Sequence, residues 1–166
     1  GLVSVATRPA HVPALLARRP EAMVRAVEST DDLVPMVARA RVVAVGPGLG
    51  QGEWGQALFR HALRSGLPLV VDADALNLLS SAAQPLEDAV FTPHPGEAAR
   101  LLACTVADVQ RDRVGAAQAI AQRYAAVVVL KGAGTVVASG QATRIVGAGN
   151  PGMAVGGMGD LLTGIM

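Results

Sequence analysis

The chain has little of what marks several large classes of protein. A single cysteine, Cys104, rules out an internal disulfide and fits a reducing compartment. Cys104 itself reads as a small buried hydrophobe. Aromatic residues make up 2% of the 166 residues and comprise only Trp54, Phe59, Phe91 and Tyr124, too few for a base-stacking platform. Neither charge sign dominates: 14 Lys and Arg face 13 Asp and Glu, leaving +1. A nucleic-acid or anionic-lipid partner would call for a basic face that this balance does not supply. The longest apolar runs, such as residues 125–130, are far short of a membrane span. No signal peptide is visible, and a cytoplasmic location is expected.

Apolar residues, by contrast, are plentiful. Hydrophobic residues are 51% and charged residues 16%, the reverse of a disordered tail. A chain of this length makes about one domain and can bury roughly two-thirds of its unfolded surface. It starts at Gly1 on what reads as a strand and stops at Met166 inside an apolar segment without a helix stop signal. The expectation is therefore one domain over 1–166, truncated at both ends, working as a homo-oligomer.

Short β-branched runs alternate with longer Ala- and Leu-rich segments of helical period. Strands are predicted at 2–6, 22–27, 42–45, 69–72, 89–92, 127–130, 135–138 and 143–146. Helices are predicted at 12–17, 32–39, 53–65, 75–80, 96–102, 113–124 and 159–166. Trp54, Leu58 and Ala62 stack at i, i+4, i+8, and Val114, Ala117, Ala121 and Tyr124 follow one helix face. Runs such as Val42-Val43-Ala44-Val45 are apolar on both faces, which suits strands covered on both sides. The alternation predicts an α/β domain with a mostly parallel sheet flanked by helices, closed by an antiparallel hairpin near Ser139-Gly140-Gln141.

The unusual residues fall at the carboxyl ends of predicted strands, where open α/β sheets bind ligands. Gly46-Pro47-Gly48-Leu49-Gly50 is a glycine-rich turn that either cradles a ligand or simply needs positive φ. Asp72 and Asp74 end the next strand. One suits water-mediated Mg2+ contact, and the other suits capping of the helix that carries Asn77. His94 is held extended between two prolines, and Glu97 follows in the first turn of a helix. His11 and His61 read as ordinary surface or helix-face residues. Lys131 is the only lysine; with Gly132, Ala133, Gly134 and Thr135 it combines ammonium, glycines and hydroxyl in a way that suits phosphate. Five glycines from Gly149 to Gly159, among them Gly156 and Gly157, surround Asn150 and precede Asp160 and an apolar helix. The helix N-terminus offers N–H groups to phosphate, with Asp160 placed to take a proton from an attacking hydroxyl. Gly50-Gln51-Gly52-Glu53-Trp54-Gly55 imitates a dinucleotide-binding fingerprint, but it starts too far past its strand. No Walker pattern is present, and no metal-ligand set stands out.

These motifs, in this order, resemble the ADP/ATP-dependent NAD(P)H-hydrate dehydratases of the ribokinase-like superfamily, from Gly1 to Met166. The resemblance implies repair of hydrated NADH and NADPH. A nucleotide, ADP or ATP with Mg2+, phosphorylates the ring hydroxyl, and loss of phosphate restores the double bond. It implies that Asp160 is the base that activates the substrate hydroxyl. It places Gly48, Gly50 and His94 on the hydrated dinucleotide, and Lys131, Gly132, Ala133, Gly134, Thr135 and Gly159 on the nucleotide. Asp72, Asn77, Asn150, Gly156 and Gly157 are further candidates. A fused or separate epimerase is an implied partner. Three alternatives stay open: a kinase for a small alcohol or vitamin precursor, a nucleotide-binding module without turnover, and a dinucleotide oxidoreductase.

Overall fold

The computed structural model describes residues 2–166. Among the described residues there are eight strands, as expected, and eight α-helices, one more than expected. β1 (Ser4–Thr7), α1 (Val12–Arg18), β2 (Met23–Ala26) and α2 (Thr30–Val37) come first. β3 (Val43–Val45), α3 (Glu53–Leu63), β4 (Leu69–Val71), α4 (Ala73–Ser80) and β5 (Ala89–Phe91) follow. α5 (Pro95–Leu102), α6 (Val106–Arg111) and α7 (Arg113–Tyr124) lead to β6 (Val127–Leu130), β7 (Thr135–Ala138), β8 (Thr143–Val146) and α8 (Met158–Ile165).

The strands form two sheets. β1 and β2 pair in parallel by themselves, while β3 to β8 form a six-stranded sheet in chain order. β3 through β6 are parallel, and β7 and β8 add as antiparallel strands, the expected hairpin. Strands that advance steadily in one direction, joined by right-handed crossovers, place their helices on one face. That face holds the main core. Leu69, Val71, Phe91, Val128 and Leu130 pack with Leu76 and Leu79 of α4, Leu101 of α5, and Ile120 and Tyr124 of α7. Phe91 and Tyr124 meet edge to face, 5.4 Å between centroids.

The alternate residues Val70, Val90 and Val129 point to the opposite face, because side chains alternate along a strand. The same alternation carries Asp72, Thr92 and Lys131, two residues further on, to that face at the strand ends. α8 approaches there, so the sheet has helices on both sides.

Two expectations need correction. Residues 106–111 form a helix that periodicity did not mark. It is too short for an apolar stripe and is set by a capping box, with the Thr105 hydroxyl accepting the Asp108 N–H and the Asp108 carboxylate accepting the Thr105 N–H. Cys104 is exposed, not buried, because it follows the left-handed Ala103 that ends α5 and turns the chain outward.

Candidate active site

Each parallel strand of the larger sheet delivers one polar segment to the same edge. The turn after β3 lies against the end of β4. Asp72 N–H donates to the Val45 carbonyl, and Gly46 has φ +135°. A Cβ on Gly46 would stand 1.7 Å from the Asp72 carbonyl oxygen, so glycine is required twice over, by conformation and by space. Further along this turn the Gly50 N–H donates to Asp74 Oδ2 at 2.9 Å. Asp74 therefore holds the glycine loop, and neither it nor Asp72 caps α4 through its side chain, contrary to the expectation for one of the two aspartates. Gly50 thereby spends its N–H inside the protein, while Gly48 is exposed and finds no acceptor for its own among the described residues.

Asp72 precedes α4 in extended conformation and turns its carboxylate across the strand ends. It is 1% exposed. Its Oδ1 lies 2.8 Å from Lys131 Nζ at the end of β6, and its Oδ2 accepts from the Thr163 hydroxyl of α8 at 2.8 Å. Burial pushes the Asp72 carboxyl upward. The hydrogen bonds from Lys131 and Thr163, the lysine's charge and the nearby Thr92 hydroxyl outweigh that and hold it below the ordinary carboxylate value. Asp72 is thus an ionised anchor joining two loops and a helix.

Glu97 extends this chain of polar groups. It is 5% exposed, and its Oε2 lies 4.0 Å from Lys131 Nζ and accepts the His94 N–H at 2.8 Å. His94 caps α5: its Nδ1 accepts the N–H groups of Gly96 and Glu97 at 3.0 and 3.4 Å. With Nδ1 accepting, the ring proton of neutral His94 belongs on Nε2, which faces Glu97 Oε1 at 3.3 Å. The His94 side chain remains 52% exposed, so the same ring that caps the helix is presented to solvent at the site edge.

The fifth contribution comes from α8. Gly157, with φ +87°, opens the helix, and the first turn contains Gly159 and Asp160. The backbone of Gly159 packs on the buried ion pair: an added Cβ would lie 3.1 Å from Lys131 Nζ and 3.7 Å from Asp72 Oδ2. Gly159 and Asp160 carry N–H groups that a helix's first turn leaves without internal partners. Asp160 is exposed beside them. The arrangement offers an anion-binding helix terminus packed on a lysine fixed by its counter-ion, and an accessible carboxylate in the first turn of that helix.

The structure therefore gathers Gly48, Asp72, His94, Glu97, the 131–135 loop, Gly159 and Asp160 at one edge. Asn77 instead accepts from Arg100 Nη1 at 3.1 Å on the helical side. Asn150 caps a short 3-10 turn over Pro151–Met153, and Gly156 lies in open space. Thr163 escaped the sequence reading because a single hydroxyl inside an apolar helix carries no pattern. Its role appears only when Asp72, 91 residues away, meets it. Among the described residues no group of three His, Cys, Asp or Glu side chains is placed to hold a metal ion.

Over residues 1–166 the chain matches the family model described as NAD(P)H-hydrate dehydratase. It is 50% identical, along its whole length, to the bifunctional NAD(P)H-hydrate repair enzyme Nnr of Coxiella burnetii and to that of Escherichia coli. It covers 34% and 32% of those two proteins, so the chain spans about a third of the length of the curated relatives it matches. The crystal structure of the ADP/ATP-dependent NAD(P)H-hydrate dehydratase of Bacillus subtilis, co-crystallised with ATP and Mg2+, superposes with a TM-score of 0.80 at 32% identity. That match covers 98% of this chain and 59% of the other. The hydroxyethylthiazole kinase of Pyrococcus horikoshii superposes with a TM-score of 0.67 at 19% identity, covering 98% and 67% of the two chains, a likeness of fold alone.

Proposed function

The chain belongs to the NAD(P)H-hydrate dehydratase family, and on that premise we propose that the protein carrying it returns hydrated NADH and NADPH to their reduced forms at the expense of ADP or ATP. One observation carries the reading. The helix terminus that carries the exposed Asp160 and its free N–H groups packs, through the backbone of Gly159, on the Lys131–Asp72 pair, where a phosphoryl group and a hydroxyl can meet. In phosphoryl transfer the protein mainly positions groups and stabilises charge, with a carboxylate as base.

In this reading Asp160 accepts the proton of the substrate's ring hydroxyl as its oxygen attacks the terminal phosphorus. The N–H groups of Gly159 and Asp160 face the phosphoryl oxygens. Lys131 and the 132–135 backbone receive the remaining phosphates. The first-formed phosphate ester then expels orthophosphate with loss of a ring proton, and the double bond returns. His94 and Gly48 bound the side where the hydrated dinucleotide enters. When bound with the nucleotide, Mg2+ would neutralise phosphate charge chiefly through phosphate and water ligands, since no cluster of three His, Cys, Asp or Glu side chains among the described residues is placed to hold it. Asp72 is committed to Lys131 and Thr163 and serves as an anchor of the site. The bifunctional names of the relatives, together with the third of their length covered here, support an epimerase partner in the same polypeptide or beside it.

A small-alcohol kinase would use the same base and the same anion site but would stop at the phosphate ester. Phosphorus NMR of the reaction separates the two. Orthophosphate released in step with restored NADPH is expected, whereas a stable phosphate ester as final product refutes the dehydratase reading.

A further inference from the structure

Arg113, the first residue of α7, lies half-buried under the 131–135 loop and belongs to none of the sequence motifs. Its Nη2 is shared among three backbone carbonyls, those of Leu130 at 3.3 Å, Lys131 at 3.4 Å and Gly134 at 3.4 Å. Its Nη1 donates to Gln110 Oε1 at 3.2 Å, which fixes the guanidinium from the far side. A fourth carbonyl, that of Gly132, accepts from the Thr135 hydroxyl at 3.0 Å.

Across a planar trans peptide the carbonyl of one residue and the N–H of the next point in opposite directions. With the Lys131 carbonyl drawn inward, the Gly132 N–H faces outward. With the Gly132 carbonyl turned to Thr135, the Ala133 N–H faces away from that hydroxyl. The N–H groups of Gly132, Ala133 and Gly134 have no acceptor among the described residues, and Gly132 and Ala133 are exposed. Gly132 has φ +143°, and a Cβ there would lie 2.9 Å from both terminal nitrogens of Arg113. The missing side chain is what lets the guanidinium lie against the loop.

We infer that Arg113 is a positioning residue for nucleotide phosphate: by drawing the Lys131 carbonyl inward it holds the Gly132 N–H outward as an anion receptor, beside the Ala133 N–H that the Thr135 hydrogen bond to the Gly132 carbonyl orients. Its permanent positive charge stands behind that receptor and counters the inward carbonyl dipoles. Lysine cannot reproduce this, because one ammonium lacks the planar fork that spans several carbonyls. The inference rests on the reading that this loop takes the nucleotide.

The test compares wild type, Arg113→Lys and Arg113→Ala in the complete gene product. Affinity for ADP with Mg2+ is measured by calorimetry, and KM for hydrated NADPH by the repair assay. Arg113→Ala is expected to weaken ADP about tenfold, corresponding to about 1.4 kcal/mol, and to leave KM for hydrated NADPH nearly unchanged. Arg113→Lys falls between. Free guanidinium ion, well below unfolding concentrations, is expected to restore part of the ADP affinity of Arg113→Ala and to add nothing to wild type. ADP affinity unchanged in both variants overturns the inference while leaving the functional reading intact. Equal losses for both ligands without guanidinium rescue also overturn it, since a merely structural role would give that result. Should Arg113→Ala fail to fold, Arg113→Lys decides alone, and wild-type ADP affinity in it is the refuting result. A wild-type protein that binds no ADP at all refutes the functional reading first and this inference with it.

Discussion

Replacing Asp72 by asparagine keeps the side chain's shape and removes its charge. The carboxylate is 1% exposed and Lys131, its partner at 2.8 Å, is 22% exposed. Removing one member of a buried ion pair costs about 3–5 kcal/mol because a charge is left uncompensated. The low end applies here, about 3 kcal/mol, since Lys131 keeps some contact with water and Glu97 Oε2 stands 4.0 Å away. For a protein of this size or somewhat larger that loss lowers Tm by about 6–12 °C. Thr163→Val removes one hydroxyl donated to the same charged acceptor and is expected to cost about 1.5–3 kcal/mol. The two changes share one carboxylate, so their sum should exceed the loss in the double variant. The pH dependence has a definite sign. The folded Asp72 pKa lies below the ordinary 3.8, so its contribution is complete above that value and is lost as pH falls through the folded value. The gap between wild type and Asp72→Asn should therefore be constant from about pH 5 to 8 and close below about pH 4. Thermal and urea unfolding of the ligand-free protein across that range is the assay. A loss under about 1 kcal/mol at neutral pH, or a gap that widens on acidification, would refute the anchor role.

Other outcomes follow from the same geometry. Asp160→Asn should abolish turnover, below about one part in a thousand of wild type, while ADP still binds; near-normal turnover by the repair assay removes Asp160 as base. Lys131→Ala should weaken ADP more than hydrated NADPH and also destabilise the fold, because it strands the buried Asp72 carboxylate; calorimetry and unfolding read the two effects separately. Asp74→Ala should free the Gly50 N–H and loosen the glycine turn, raising KM for hydrated NADPH with little change in ADP affinity; an ADP defect instead would contradict the placement of that loop. Gly46→Ala should prevent folding, since its Cβ would occupy the Asp72 carbonyl; soluble, cooperative unfolding at the wild-type midpoint would count against the described turn.

Much of this site could be read in the chain because its parts are local. The glycine turn after β3, the aspartates after β4, the His94 segment after β5 and the Lys131 loop after β6 each follow an apolar run that announces a strand. What stayed hidden depends on meetings between distant residues. Thr163 and Arg113 look like an ordinary helix threonine and a surface arginine until tertiary contacts reveal Asp72 and the loop carbonyls beside them. Asp72 and Asp74 stand two residues apart at one strand end, and sequence could not show that strand alternation sends the first to the far face while the helix turns the second to Gly50. Glu97, read as a helix-terminus acid, does serve α5, and it also links His94 to Lys131. The separate pairing of β1 with β2 was likewise unreadable, since strand partners are fixed by packing and not by pattern.

The central claim is met most directly by mixing the complete gene product with hydrated NADPH and Mg2+, adding ADP or ATP, and following reduced-nicotinamide absorbance. The account predicts that absorbance returns only when nucleotide is present, with the effective nucleotide naming the phosphoryl donor. Absence of any return from a protein that binds ADP would contradict it and favour a kinase of a small alcohol.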